Sequence, residues 1–111
     1  MPENNLEIAQ AQMRKGMLEF IVLLVISRAP AYASDILLAL KEAELIVVEG
    51  TLYPLLSRLK NDELVAYTWQ ESTGEPPRKY YTLTDKGREV LKNMNLTWQK
   101  LNQSIDTLIK N

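Results

Sequence analysis

The segment from Glu49 to Leu59 most strongly limits how this chain can fold. Its leucines recur at spacings of three and four residues, which places them on one face of a helix. The other side carries two hydroxyls, a phenol and a guanidinium, so the helix is suited to reading a nucleic-acid groove. An ordinary amphipathic surface helix has the same pattern, so the rest of the chain has to decide between the two readings. The leucines are Leu52, Leu55, Leu56 and Leu59, and the outward groups belong to Thr51, Tyr53, Ser57 and Arg58.

The composition excludes several classes of site. With 111 residues, 46% of them hydrophobic, the chain is expected to form one domain with a real core. The absence of cysteine excludes disulfides and thiolate chemistry. The absence of histidine, the commonest metal ligand and acid–base residue, further disfavours a zinc site or a catalytic triad, while a carboxylate-based site stays open. We therefore expect no cofactor and no metal. The formal net charge is −1, so a DNA-binding surface would need its basic residues to be concentrated locally.

The chain has no feature of a membrane or secreted protein. Its longest apolar run, from Phe20 to Ile26, is far shorter than the ~20 residues that span a bilayer. The first residues, Met-Pro-Glu-Asn-Asn, lack the basic segment of a secretory signal. We expect a cytoplasmic protein without membrane contacts.

Two helices are predicted before the leucine helix. The first covers residues 6–28, is apolar all round from Phe20 onward, and ends before Pro30. The second covers residues 33–43, with Ser34 as its predicted N-cap and Asp35 near the positive end of its dipole. Pro54 then requires the third helix to begin near Gly50 or Thr51, because proline is harmless only in a first turn.

A β-hairpin follows the third helix. Val65, Tyr67 and Trp69 alternate with more polar residues, which is typical of a strand. Residues 72–77 are rich in turn formers and are predicted to form a six-residue tip, after which residues 78–83 return as the second strand. Arg78 and Lys79 lie at the base of that tip. They resemble a solvated surface pair when taken alone, but their place in the hairpin favours phosphate contacts.

Thr84 is predicted to cap a final helix that carries a heptad seam. Its apolar residues are spaced three and four apart for nearly three heptads. The body of the domain needs only the beginning of such a helix, so the later turns would stay exposed without a partner helix. Self-association is therefore expected, and packing within one domain is the alternative. The predicted dimer-interface residues are Met13, Met17, Leu91, Met94, Trp98, Leu101, Ile105 and Leu108.

The order of elements predicts a mainly α fold with a small β-hairpin, namely a winged helix-turn-helix followed by a long C-terminal dimerisation helix. Residues 1–84 would form the DNA-binding part and residues 85–111 the dimerisation helix, within one compact domain. The third helix would enter the major groove, while the hairpin, or wing, would lie on the backbone or in the adjacent minor groove. The predicted DNA-binding residues are Ser34, Thr51, Tyr53, Ser57, Arg58, Lys60, Arg78 and Lys79.

Two segments resemble the PadR family of bacterial transcriptional regulators. The leucine helix, Glu49 to Leu59, is similar to the family's signature helix. The second segment, Gly74 to Gly87, ends in a run similar to the family's Pro-Arg-Lys-Tyr-Tyr-x-Leu-Thr-x-x-Gly wing motif. The family often has Tyr-Gly-Tyr-Glu-Ile where this chain has Tyr32-Ala33-Ser34-Asp35-Ile36, which offers a phosphate a shorter donor at Ser34. It also commonly has glycine in place of Glu63, so the turn into the hairpin is expected to differ.

The short length and single last helix are similar to the smaller, LmrR-like subgroup of this family. The resemblance implies a two-fold dimer built by the first and last helices, and flat aromatic effectors stacked between paired tryptophans. Trp98 stands at a similar place on the seam, although a tryptophan that only fills a dimer core would look the same. Asn102 stands where a drug-binding member would carry an acidic residue, which disfavours cationic ligands.

The leading hypothesis is a homodimeric, sequence-specific repressor that binds double-stranded DNA at a near-palindromic operator. The alternative is a sensor of multidrug-type or aromatic small molecules whose main site is a pocket at the dimer interface. A third reading is an adaptor that joins a different chain through the seam. An enzyme is the least favoured class, because no nucleophile–base pair, phosphate-binding glycine loop or metal-ligand cluster is visible in the sequence.

Overall fold

The computed structural model describes residues 4–111, and for Ser72 only the backbone. Residues 1–3, which begin the predicted 1–84 unit and the segment tested for a secretory signal, lie outside the described part. Within it, none of the helices is both long and apolar enough to cross a membrane. The elements are α1 (Asn5–Arg28), α2 (Ala33–Glu42), α3 (Glu49–Asn61), β1 (Val65–Ser72), β2 (Glu75–Leu83) and α4 (Asp85–Lys110). This order confirms the predicted mainly helical, winged helix-turn-helix fold.

The core lies between the first three helices and the base of the hairpin. The leucines of α3 are buried, with at most 5% of any one exposed, so the predicted apolar face is confirmed. Leu23 of α1 and Ile36 of α2 pack into the same cluster, together with Val65 and Leu83 from the two strands. The expectation that α1 is buried on every side after Phe20 is wrong at Leu24, which stays exposed because the core contacts the helix from one side.

Two helix starts differ from the sequence prediction. The N-cap of α2 is Tyr32 rather than Ser34, because Ala33 already has helical geometry and is buried against the core. Asp35 accepts a hydrogen bond from the Tyr32 backbone N–H at 2.9 Å. Helix α3 begins at Glu49, so Pro54 lies in its second turn rather than its first. Pro54 and Gly50 are both exposed, so water can satisfy the Gly50 carbonyl that lacks its intrahelical partner.

The wing, formed by β1 and β2, is a two-stranded antiparallel hairpin. Its register pairs Val65 with Leu83 and Trp69 with Lys79, which confirms the predicted alternation of faces. The predicted six-residue tip is too long, because β2 already begins at Glu75 and Gly74 makes the turn at φ 80°. The prolines at 76 and 77 are accommodated where the register shifts between Gln70 and Ser72.

Hydrogen bonds connect the base of the wing to the helical part of the domain. Ala31, just before α2, exchanges backbone hydrogen bonds with Tyr81 of β2 at 2.8 and 3.0 Å. Directly after β2, the Thr84 hydroxyl accepts from the Gly87 N–H at 2.9 Å and lies 2.6 Å from the Glu63 carbonyl oxygen, which confirms Thr84 as the cap of α4. Glu63 has φ 64°, so the turn keeps the left-handed geometry that glycine adopts most easily.

Helix α4 starts against the core and then leaves it. Leu91 and Met94 are half-buried against their own domain. The following seam residues, Trp98, Leu101, Ile105 and Leu108, are 40%, 51%, 50% and 73% exposed. Within residues 4–111 the last turns of α4 therefore have no apolar partner, as the heptad pattern predicted.

Candidate nucleic-acid interface

A polar cleft of about 340 Å³ lies where the start of α2, the outer side of α3 and the strand β2 meet. The predicted contacts Ser34, Tyr53, Ser57, Arg78 and Lys79 all line it, although they come from three separate segments. None of the lining residues carries a carboxylate. The cleft is thus locally basic on a chain whose formal net charge is −1. Its complete lining is Tyr32, Ala33, Ser34, Tyr53, Ser57, Pro77, Arg78, Lys79 and Tyr81.

Arg78 is stacked on an aromatic ring. Its guanidinium carbon lies 3.9 Å from the centre of the Tyr32 ring, and the Tyr80 ring centre lies 4.8 Å from that of Tyr32. A cation over a ring face is attracted by the ring's quadrupole, and stacking leaves the edge of the guanidinium available to donate hydrogen bonds. Arg78 is therefore held at the cleft with its donors accessible.

Lys79, which lines the cleft, and Lys60 of α3 also lie near aromatic rings. The Lys79 ammonium lies 4.6 Å from the Tyr67 ring centre and 5.5 Å from that of Trp69. From the end of α3, the Lys60 ammonium lies 5.8 Å from the same Tyr67 ring. Tyr67 thus brings a cation of α3 and a cation of the wing to one place. That arrangement suits a polyanion that runs along both elements.

The floor of the cleft is an uncharged phenol. Tyr81 is 5% exposed, and its burial, with the Tyr67 and Tyr53 phenols nearby, raises the pKa of the Tyr81 phenol above its usual value. The side chain stays neutral at physiological pH and adds no negative charge beneath the cations. The described residues contain no group of three or more carboxylates that could hold a metal ion.

Thr51 and Arg58 lie apart from the cleft. Both border a shallow surface shared with Lys15 and Leu18 of α1, on the opposite flank of α3 from Tyr53. The Arg58 Nη2 atom is 3.8 Å from Glu19 Oε2, and the Arg58 side chain is 63% exposed. Such an exposed pair contributes little stability and can exchange partners readily. The structure therefore joins Ser34, Tyr53, Ser57, Lys60, Arg78 and Lys79 around the cleft and separates Thr51 and Arg58 from them.

Sequence reasoning missed two groups of residues. Gly50, Pro54 and Asn61 share with Ser57 the exposed stripe of α3 directly opposite its leucines, so they face outward most squarely. The same helical spacing that located the leucines could have located this stripe. The rings of Tyr32 and Tyr67 were missed because their cations are distant in sequence, and only the Trp69–Lys79 pairing could have been read from the hairpin register.

The second exposed surface is an apolar groove of about 360 Å³ between α1 and α4. Met17, Met94, Trp98 and Leu101 line it, whereas Asn102, the other predicted ligand residue, is not part of the lining. Met13 is exposed one turn before Met17 on α1. Ile105 and Leu108 continue the seam beyond the groove. The predicted dimer-interface residues thus lie on the adjoining surfaces of these two helices, with Leu91 packed inward.

Comparisons with known proteins agree with these features. Residues 22–93 match the model of the transcriptional regulator PadR-like family. A PadR-like transcription factor from Bacteroides fragilis is similar in structure, with 57% sequence identity over 90% of this chain and 97% of that one, and a TM-score of 0.80. A PadR family transcriptional regulator from Eggerthella lenta is 33% identical over 94% of this chain and 91% of that one, with a TM-score of 0.87. A search of curated proteins gives no match.

Proposed function

This chain belongs to the PadR-like family of transcriptional regulators, and we propose that it acts as a homodimeric repressor at a near-palindromic operator. Members of this family are DNA-binding regulators rather than enzymes. The cleft is the observation that carries the proposal. Cations from α3 and the wing lie over or near aromatic rings there, and none of the lining residues carries a carboxylate.

The two sides of the cleft would have different tasks. The exposed stripe of α3 would enter the major groove, where Ser57 and Asn61 can exchange hydrogen bonds with base edges. Lys60, Arg78 and Lys79 would bind phosphates and fix the register of the protein on the duplex. Tyr53 and Ser34 would lie next to the same DNA backbone. Thr51 and Arg58 would contact the DNA backbone from the other flank of α3. Residues 1–84 would thus bind DNA and residues 85–111 would join two copies.

The exposed apolar surface of α1 and α4 supports the dimer. Contiguous exposed apolar surface marks an interaction site, and here it includes Met13 at 73% exposure besides the seam of α4. A two-fold dimer through these helices would present two copies of α3 to successive major grooves, ~34–36 Å apart. The packing of the seam would set that distance and could therefore regulate operator binding.

The same surface supports membership of the smaller, LmrR-like subgroup, with an aromatic effector as the regulator. The groove lined by Trp98 is apolar and would be closed by a second copy. A Trp69→Phe protein leaves Trp98 as the only tryptophan, so its fluorescence reports on the groove alone. Quenching by flat aromatic compounds that also changes operator affinity would support the effector. Unchanged fluorescence across such compounds would exclude it and leave Trp98 as a core residue of the dimer.

The proposal is tested by titrating the protein with duplex DNA from the region upstream of its own gene and with random duplex of equal length. We expect a clear preference for the upstream DNA, together with weaker binding to both as salt increases. Equal affinity for the two duplexes would overturn the repressor.

The role of the wing has its own test. Arg78→Ala and Lys79→Ala should weaken binding to both duplexes. Each should make the negative slope of log K against log salt shallower by about 1.8, because a dimer loses one phosphate contact, which contributes about 0.9, from each of its two copies. Lys92→Ala removes an equal charge from the exposed side of α4 and should leave the slope unchanged. A change of sequence preference in place of the lower slope would assign base reading to the wing.

A further inference from the structure

We propose that Tyr32 is a positioning residue that holds the Arg78 guanidinium in place for a DNA phosphate. The inference rests on the proposed function and adds a residue that the predicted site does not contain. Of the cations around the cleft, Arg78 is the closest to a ring, at 3.9 Å from its centre. Its partner ring comes from the start of α2, on a different element from the cation.

Tyr32 is held by two backbone contacts and one ring contact. Its backbone N–H donates to Asp35 Oδ2 at 2.9 Å, which ties the residue to the first turn of α2. The preceding residue, Ala31, is paired with Tyr81 by backbone hydrogen bonds of 2.8 and 3.0 Å. The Tyr80 ring packs at 4.8 Å between centres. Tyr32 therefore offers a rigid surface to an arginine that is otherwise exposed on the wing.

The stacking should matter because free arginine is flexible. An exposed arginine side chain loses much of its rotamer freedom when it binds a phosphate, and that loss weakens binding. A guanidinium already ordered on a ring has lost part of this freedom before DNA arrives. Its planar edge, with N–H groups in a fixed fork, remains free for a bidentate phosphate contact. The hydroxyl of Tyr32 has no part in this arrangement, so a phenylalanine ring should serve equally.

The contrast with Arg58 shows what the ring adds. The Arg58 guanidinium faces the Glu19 carboxylate at 3.8 Å, where a phosphate would have to displace an anion. Arg78 faces a neutral ring, so a phosphate that binds it displaces no anion from that ring. Tyr32 thus orders Arg78 for a phosphate, whereas Glu19 competes with a phosphate for Arg58.

The test compares operator affinity and its salt dependence in a set of full-length variants. Tyr32→Phe should bind like the unaltered protein, and Tyr32→Leu should bind about 3- to 30-fold more weakly. Because Tyr32→Leu removes no charge, the slope of log K against log salt should stay the same, whereas Arg78→Ala should make this negative slope shallower by about 1.8, one contact for each copy in the dimer. The double variant with Tyr32→Leu and Arg78→Ala should bind no more weakly than Arg78→Ala alone.

Several results would overturn the inference about Tyr32 and leave the proposed repressor function intact. One is an unaltered affinity for Tyr32→Leu, and another is an equal loss from that change in the Arg78→Ala background, which would mean a purely structural role. Should Tyr32→Leu fail to fold, Arg78→Lys keeps the charge without the planar fork and should weaken binding at constant slope; binding like the unaltered protein would overturn the inference. A protein with no preference for its upstream DNA would instead overturn the proposed function and this inference with it.

Discussion

The cleft beside α3 and the seam of α4 (Leu91, Met94, Trp98, Leu101, Ile105 and Leu108) are built in opposite ways. Each cation around the cleft already has an aromatic neighbour within the same chain. Most of the seam is only partly covered by the described residues 4–111, and its last four residues are 40% to 73% exposed. The cleft is polar and preorganised, whereas the seam is apolar and open.

This difference separates two kinds of recognition. A polyanion is bound through charges that stay hydrated until contact, so a cleft of ordered cations can exist complete in one folded chain. An apolar surface gains free energy only when water leaves it, so it stays unfinished until another surface covers it. Variants that change one region and leave the other intact can therefore show how far each acts alone.

The largest effect is expected from polar residues in the seam. Leu101→Gln with Ile105→Gln leaves the net charge unchanged and should not unfold a single chain, since both side chains are about half exposed. The dimer would lose about 3–6 kcal/mol of association free energy over its four altered side chains. Burying the exposed half of each contributes about half of the usual 1.5–3 kcal/mol. Sedimentation should show a shift to single chains, and operator affinity should fall to that of one half-site.

Leu96→Gln is the matched control for the seam, because Leu96 lies on the opposite face of α4 and is 56% exposed. Its dimer should be as stable as the unaltered one. If the two seam changes left the mass and the operator affinity unaltered, the dimer would have to use another surface.

A smaller effect is expected where the two regions join. A Cβ on Gly87 would clash with the Leu64 carbonyl and approach Leu83 Cδ1 to 2.9 Å. Gly87→Ala should therefore displace the start of α4 from the wing and destabilise the fold by about 1–3 kcal/mol. Gly16→Ala, where a Cβ meets no atom within 4 Å, should instead stabilise α1 by about 0.5–1 kcal/mol. Urea unfolding measures both, and similar values for the two would show that the Leu64 contact is unimportant.

A glycine in the turn between α3 and the wing should stabilise the fold. Glu63 has φ 64°, a conformation that costs a side-chain-bearing residue about 1–2 kcal/mol. Glu63→Gly should stabilise the chain by about 0.5–1 kcal/mol, after allowance for the greater freedom of glycine in the unfolded chain. Glu89→Gly removes the same charge from the exposed interior of α4 and should destabilise by about that amount. Thermal unfolding measures both variants. If both substitutions shifted the unfolding temperature in the same direction, the strain at Glu63 would be contradicted.

The smallest effect is a pH dependence confined to the cleft. Burial raises the pKa of the Tyr81 phenol, so the folded chain holds this proton more tightly than the unfolded chain, where the pKa is about 10. The stability from Tyr81 is fully present below about pH 10 and is lost as pH rises through the raised pKa. Tyr81→Phe should flatten this loss in urea unfolding as the pH rises above about 10. An equally steep loss in that variant would assign the dependence to other groups.

The elements of this protein could largely be read from its sequence, while the cleft could be read only in part. Leucine spacing located α3, alternation located the wing, and Thr84 marked the start of α4 correctly. The prediction of Ser34 as the cap of α2 is wrong, because the pairing of Ala31 with Tyr81 sets where that helix begins. The tip of the wing was predicted too long, since prolines usually end a strand and here occupy a register shift.

The sequence alone determined which face of each element is apolar, because periods of 3.6 and two residues depend only on local backbone geometry. It also determined that the seam of α4 extends beyond what one domain can cover. Only the tertiary structure decided which flank of α3 meets the wing, and hence that Arg58 faces Glu19 while Lys60 joins Lys79 at Tyr67. The stacking of Arg78 on Tyr32 has the same origin, because it depends on how separate elements pack, and helical or strand spacing carries no record of that.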